Sequence, residues 1–454
     1  MKKSLKKGSS HKIKPATQYD GFKAVVEPLV SCKWNQGAPY NLLTPVMKNG
    51  KHYVTGCVAT AMAQVMYYNQ YPAKGQNIHT YTFAPEGQNS LVLTVDYSKE
   101  TYDWSIMRDT YSGSDNDASA SEVAKIMYDL GVSVSMQYNE SGSGAFSYEA
   151  ANALVDYFNY NSNLQLYTRS LYSEDLWMKK VYSELNANRP LMYSGSSNSG
   201  GHEFVIDGYN EDGFVHVNWG WGGSSDGYFD IALLNPGSSS FSEGQEMILG
   251  ICPSSDGTSY EPQFLNSGDI SYTPSSLNEG VMSVNATLSN MGRNKYVGSF
   301  AVIALEKSGN QKVIKYFSSS SKKGADTPED FSLNHRQSSS FTIRSLNYAQ
   351  AMSDAADGDY RFFIGVKSGD SWLPVHTGAN NINSVVVKKN GSSYSLENDT
   401  DDIWMSQIVS TSGVSNVAAV SLVNNASTFN LTGQKVGGHY KGIVVRNGKK
   451  YLIK

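Results

Sequence analysis

Three cysteines, Cys32, Cys57 and Cys252, are too few for a disulfide framework in a chain of 454 residues. Any pairing leaves a thiol free, and a free thiol is either a small buried apolar residue or a reactive group. Charge is also scarce. Only 17% of residues are Asp, Glu, Lys or Arg and the formal net charge is −4, which argues against nucleic-acid binding through a basic stripe. The only basic cluster is Lys2, Lys3, Lys6, Lys7, Lys12 and Lys14. No apolar run of signal-peptide length follows it, and none approaches the roughly 20 apolar residues of a membrane span. Residues 1–24 are therefore expected to form a disordered basic segment. The acidic run NDTDD from Asn398 lacks the ligand order of a calcium loop, so no metal or cofactor is expected.

What is present is 40% hydrophobic residues, 41 glycines and 30 tyrosines, a balance that suits a β-rich, loop-rich extracellular protein. The length suggests two or three domains. Between 25 and 253, helices come first. GCVATAMAQVMYYN carries Val58, Ala61, Met62, Val65 and Met66 at the spacing of a buried helix face, and the pattern stops before Pro72. A second helix is expected over SEVAKIMYDL, with Ser119 and Glu122 at capping-box spacing and Gly131 just past its end. Two more are expected from Tyr148 to Phe158 and from Glu174 to Ala187. PLMYSG, EFVIDGY, GFVHVNW, GYFDI and EMILGIC then read as short strands between glycine turns. Helices followed by strands, without alternation, point to an α+β domain.

A Ser, Asp, Gly and Pro-rich stretch at 254–260 reads as a linker. From 261 to 396 the runs VMSVNATLSN, SFAVIALEK, KVIKYF, SFTIRSL, YRFFIGVK and SVVVKK show strand character and almost no helical period. An all-β sandwich of immunoglobulin type is expected there. NDTDD marks a second break. The segment 414–454, with TFNLTGQKV, GIVVRNG and KYLIK, is expected to form a small β unit closed by a hairpin turn.

Chemistry gathers at a few positions. Gly56 and Cys57 precede the first helix, where the positive end of the helix dipole and unpaired backbone amides favour a thiolate. The same pair is also the sequence of a tight turn holding a buried thiol. In GGHEFVIDGYNEDGFVHVNWGWGG, His202 opens a strand behind Gly200 and Gly201, which permit close approach of a bound chain. Asn218 ends the next strand, and antiparallel pairing is expected to set it beside His202. An attacking Cys needs that arrangement, with an imidazole to take the proton and an amide to fix the ring. Trp219 and Trp221 are placed to shield the contact from water. His216, mid-strand between Val215 and Val217, reads as structural or solvent-facing, and His52 as solvated in a polar loop. Asp207 and Asp230 read as support residues. Acyl transfer also needs donors at the developing oxyanion, and one donor is worth about 10²–10³-fold. The Cys57 amide is one, and Gln36, in the upstream loop NQGAPYN, is expected to be the second.

These strings resemble the streptopain family of papain-like cysteine peptidases, across roughly 26–253. The likeness is carried by VEPLV, NQGAPYNLLTP, TGCVATAMAQVMYYNQYPAKG, GGHEFVIDGY and HVNWGWGG, separated and in order. It implies a papain-like α+β fold and endopeptidase action on proteins or peptides. Cys57 is then the nucleophile, His202 the base and Gln36 the oxyanion donor, with Asn218 and Trp219 in the segment that orients the histidine. Family members usually carry a sizeable N-terminal prodomain. Here only residues 1–24 precede the match, which reads as a mature chain, a shortened one or one regulated in another way. The segment NLTGQKVGGHYKGIVVRNGKKYLIK is similar to C-terminal sorting domains of the type IX secretion route. It implies export to the cell surface or medium and contact with the secretion machinery; a small stabilising β cap is the alternative. Two other functions stay open at this point: a Cys–His acyltransferase of transglutaminase type, and a catalytically silent surface adhesin.

Overall fold

The first helix, α1 (Cys57–Asn69), is buried along its whole N-terminal half, from Val58 to Met66. In the computed structural model it lies between two further helices, α2 (Ala118–Ser133) and α3 (Ser147–Asp156), and an antiparallel sheet. Fully burying an aliphatic side chain contributes about 1.5–3 kcal/mol, so Val58, Met62, Val65 and Met66 make α1 an anchor for everything attached to it. The structure describes residues 13–399, apart from 20, 141, 199, 254–260, 278, 307 and 378–380, together with strands at 429–430, 442–446 and 449–453. The chain divides into two units, Met1–Ile403 and Trp404–Lys454. The expected linker at 254–260 lies outside the described residues, as does most of 414–454.

A hairpin, β1 (Ile78–Phe83) with β2 (Leu91–Asp96), follows α1, and a fourth helix, α4 (Glu174–Asn186), lies between the first and second strands of the sheet. The sheet contains β3 (Gln165–Thr168), β4 (Leu191–Ser197), β5 (Gly200–Tyr209), β6 (Val215–Asn218), β7 (Gly227–Phe229) and β8 (Glu243–Leu249). Their spatial order is β3-β8-β4-β5-β6-β7, antiparallel throughout. Side chains alternate across a strand. Val205 of β5 therefore joins the core that contains α1, while Phe204 and Ile206 join the core that contains α4.

Several local expectations change on contact with neighbours. Asp117, rather than Ser119, caps α2 by accepting from the Ala120 amide. Gly131 lies inside α2, where a side chain would strike the Tyr138 hydroxyl. Within the described part of 1–24, Ala16 is fully buried in a short 3₁₀ turn and Lys14 pairs with Asp175, so these residues are packed where disorder was expected; residues 1–12 lie outside the described residues. His52 is half-buried and its Nδ1 bonds the Thr44 carbonyl, which replaces the solvated position expected for it.

From Phe264 onward, two large sheets share one apolar core, joined by a two-stranded ribbon of Tyr296–Gly298 and Phe331–Leu333. One runs Ser271–Pro274, Val281–Asn290, Phe264–Asn266 and His376–Thr377, with Ser338–Asn347 also paired to Val281–Asn290. The other runs Gln311–Tyr316, Phe300–Leu305, Gly358–Ser368, Ser384–Asn390 and Ser393–Asp399. The last of these strands passes the expected boundary at 396 because it pairs along the full length of Ser384–Asn390. Arg293 joins this part to the first. Its guanidinium donates to the Leu164 and Ser162 carbonyls and to Asn152 Oδ1.

Candidate active site

Gly56 precedes α1 with φ of 89°, a left-handed conformation that costs a side-chain-bearing residue. A Cβ there would also stand 2.7 Å from Met136 Sδ. This turn aims Cys57 at β5. Its sulfur faces the backbone amides of Cys57, Val58 and Glu203, the last being the residue after His202. Those amides favour the thiolate, but burial outweighs them and pushes the thiol up to about 11. The helix N-terminus alone therefore does not deliver the resting thiolate that the sequence suggested.

His202 sits near the start of β5, opposite Gly195 of β4. A Cβ on Gly195 would run into the Phe241 carbonyl, so this glycine lets Phe241 close over the imidazole. Four rings surround it: Trp221 at 4.8 Å between centroids, Phe241 at 5.4 Å, Phe204 at 5.9 Å and Trp219 at 6.1 Å. Desolvation by these neighbours pushes the imidazole down to about 4. His202 Nε2 lies 2.9 Å from the Trp219 carbonyl oxygen. A carbonyl can only accept, so Nε2 carries the hydrogen and Nδ1 keeps its lone pair.

Asn218 does not touch the imidazole. The turn at Asn210–Phe214 fixes a register that pairs Asn218 with Val205, three residues along β5 from His202. Its Nδ2 donates to the Cys32 carbonyl at 2.8 Å, and its Oδ1 accepts from Gln64 Nε2 at 2.8 Å and from the Gly220 amide at 3.1 Å. The side chain expected to fix the ring instead ties the Trp219–Gly220 backbone to α1 and to the Cys32 segment. Trp219 takes over the contact through its main chain, and its amide is held by Asp226 Oδ1.

Gln36 lies in a loop pinned beside the nucleophile turn, because its carbonyl accepts from the Thr55 amide at 3.0 Å. It is half-exposed. The Trp221–Gly222 loop packs on the same segment, with the Gly222 amide donating to the Trp34 carbonyl at 3.0 Å. Gly200 and Gly201 are exposed at the β4–β5 turn. His216 is structural: its Nδ1 meets the fully buried Asp207 carboxylate at 2.6 Å, which also accepts from the Val30 amide. Among the described residues, no three His, Cys, Asp or Glu side chains gather as metal ligands, and no helix is long and apolar enough to cross a membrane. Phe241 and Glu203 were not singled out from the sequence. Phe241 reaches His202 only through the return of a later loop, while Glu203, like Asp207, carried the signal of a charge inside a largely apolar strand.

The Peptidase C10 family model matches residues 34–229. Streptopain of Streptococcus pyogenes is 38% identical over 263 residues, covering 52% of this chain and 66% of its own. The thiol protease/hemagglutinin PrtT of Porphyromonas gingivalis is 39% identical over 233 residues, covering 49% of this chain and 26% of its own. The active wild-type interpain A cysteine protease of Prevotella intermedia is 42% identical, covers 51% of this chain and 96% of its own, and superposes with a TM-score of 0.49. This chain belongs to the Peptidase C10 family, that of the streptopain-type cysteine peptidases.

Proposed function

We propose that the chain is an exported endopeptidase that cleaves proteins through a Cys57 acyl-enzyme. The observation that carries this reading is the placement of a helix-N-terminal thiol against β5, beside a histidine whose Nε2 is committed to the Trp219 carbonyl. That commitment leaves Nδ1 as the basic nitrogen. Burial disfavours both the thiolate and the imidazolium. Proton transfer from Sγ to Nδ1 then accompanies attack on the peptide carbonyl, and the ion pair forms when a carbonyl carbon is present to take the electrons.

In this reading the Cys57 amide and the Gln36 side chain are the two donors that hold the oxyanion. Imidazolium Nδ1–H protonates the leaving amine, leaving a thioester. Water, deprotonated by Nδ1, attacks that thioester and returns the thiol. Trp219 and Trp221 keep the imidazole dry, Asn218 anchors their loop, and Gly200 and Gly201 offer an open edge to the substrate backbone.

In the same reading, 25–253 is the papain-like catalytic domain and 261–396 an immunoglobulin-like sandwich. The segment 414–454 is a sorting unit that directs the chain to the cell surface or medium. The two sheets around one core support the sandwich. Casein digestion by wild type and Cys57→Ala tests the central claim. Cleavage by wild type alone is expected, and equal cleavage by both proteins would remove Cys57 from the mechanism. An acyltransferase would instead incorporate an added amine.

A further inference from the structure

We propose that Glu203 is a positioning residue which, through Ser147 and Glu246, sets the charge facing the Cys57 sulfur. The proposal rests on Cys57 being the reactive thiol. Strand alternation turns Glu203 away from the aromatic box of His202 and onto the face that carries α1 and α3. The residue is 4% exposed. Its Oε2 accepts from Ser147 Oγ at 2.7 Å, and its Oε1 is buried with no partner among the described residues.

Ser147, in the first turn of α3, also meets Ser194 Oγ at 3.1 Å and interacts with Glu246 of β8. Glu246 Oε1 receives Thr168 at 3.5 Å and the Arg336 guanidinium at 3.3 Å. The charged or titratable groups that meet Glu203 are thus Cys57 on α1 and Glu246 on β8, while Glu149 of α3 accepts from the Phe146 amide and β4 presents Ser194. No cation among the named neighbours meets Glu203 directly. Arg336, which belongs to the second β region, stands one carboxylate away.

Burial and the neighbouring Glu246 hold the Glu203 proton up to about 8, and Glu246 is also raised. Two acids sharing one hydroxyl ionise in sequence. Glu246, answered by Arg336, takes the first charge, and Glu203 stays neutral until alkaline pH. Ser147 serves both states: it accepts from a protonated Glu203 while donating to Ser194, and turns to donate once Glu203 ionises. Above that point a negative charge faces the Cys57 sulfur and makes the thiolate harder to form. The peptidase therefore acquires an alkaline limit that belongs to neither Cys57 nor His202.

The test is the rate of iodoacetamide alkylation at Cys57, resolved by peptide mass, as a function of pH in the full chain. Glu203→Gln keeps the shape and the acceptor for Ser147 but cannot ionise. At about pH 9 it should be alkylated about tenfold faster than wild type, the effect of a shift of about one pK unit, and the two curves should converge below about pH 6. Superimposable curves would overturn the proposal. Arg336→Gln leaves Glu246 without its cation, so the pair holds its proton longer and the break in the curve should move upward. An unmoved break would remove the link to Arg336. Alkylation needs no turnover, so casein digestion on the same samples reports separately on the peptidase reading. The expected shift in a protein that digests nothing would keep the role of Glu203 and discard the protease.

Discussion

Replacing Asn218 by alanine separates an anchor from a catalytic group. The substitution removes the partners of three buried groups at once: Gln64 Nε2, the Cys32 carbonyl and the Gly220 amide. A buried polar group left unpaired costs about 1–3 kcal/mol. Three of them give at least about 3 kcal/mol, enough to move a urea midpoint clearly, since the slope is typically about 1–3 kcal/mol per molar for small proteins. The His202–Trp219 contact is made by main chain and is not deleted directly. It loosens only because the Trp219–Gly220 backbone loses its tie to α1. The expected result is therefore a large loss of stability with a partial loss of kcat/KM, eased at low temperature. Asn218→Asp, which keeps the acceptor for Gln64 and Gly220, should recover part of the stability. Unchanged stability together with a loss of activity of more than about 10³-fold would refute this reasoning. It would mean that Asn218 acts on the imidazole itself.

Gln36→Ala should lower kcat about 10²–10³-fold with little change in KM, and leave the thermal midpoint in place because Gln36 is half-exposed and joined to its surroundings by main chain; a change in KM alone would assign it to substrate binding. His202 is held neutral in the fold, with its pKa lowered from 6.5 to about 4. The unfolded chain then binds more protons in that window, so stability is full above about 6.5 and falls as the pH drops towards about 4. The loss from this group is at most about 3 kcal/mol. Comparing urea unfolding of wild type and His202→Gln at both ends of the window should show a smaller acid loss in the variant, and an equal loss would contradict the desolvated site.

Much of the fold is legible because its signals are periodic and local. The helix at Cys57–Asn69 follows from its apolar spacing, and the long strands of the second β region follow from runs such as VMSVNATLSN. What was illegible depends on partners far along the chain. Gly131 looks like a helix terminator until Tyr138 packs against it. Asn218 looks like the ring-orienting amide until the Asn210–Phe214 turn sets the register. The depressed histidine needs Phe241, and the buried glutamate needs Ser147. The residues Cys57, His202 and Gln36 were visible as candidates in the sequence. The electrostatic state of the thiol was not, since burial opposes the helix N-terminus and prevails.

The central claim is that Cys57 is an activated nucleophile in an assembled peptidase site. Intact-mass analysis after treatment with an epoxide inhibitor of papain-like enzymes, with casein digestion followed in parallel, tests it most directly. The account predicts a single adduct, mapped to Cys57, and loss of digestion in step with labelling. Labelling at Cys32 or Cys252 instead, or digestion that continues in fully labelled protein, would contradict it.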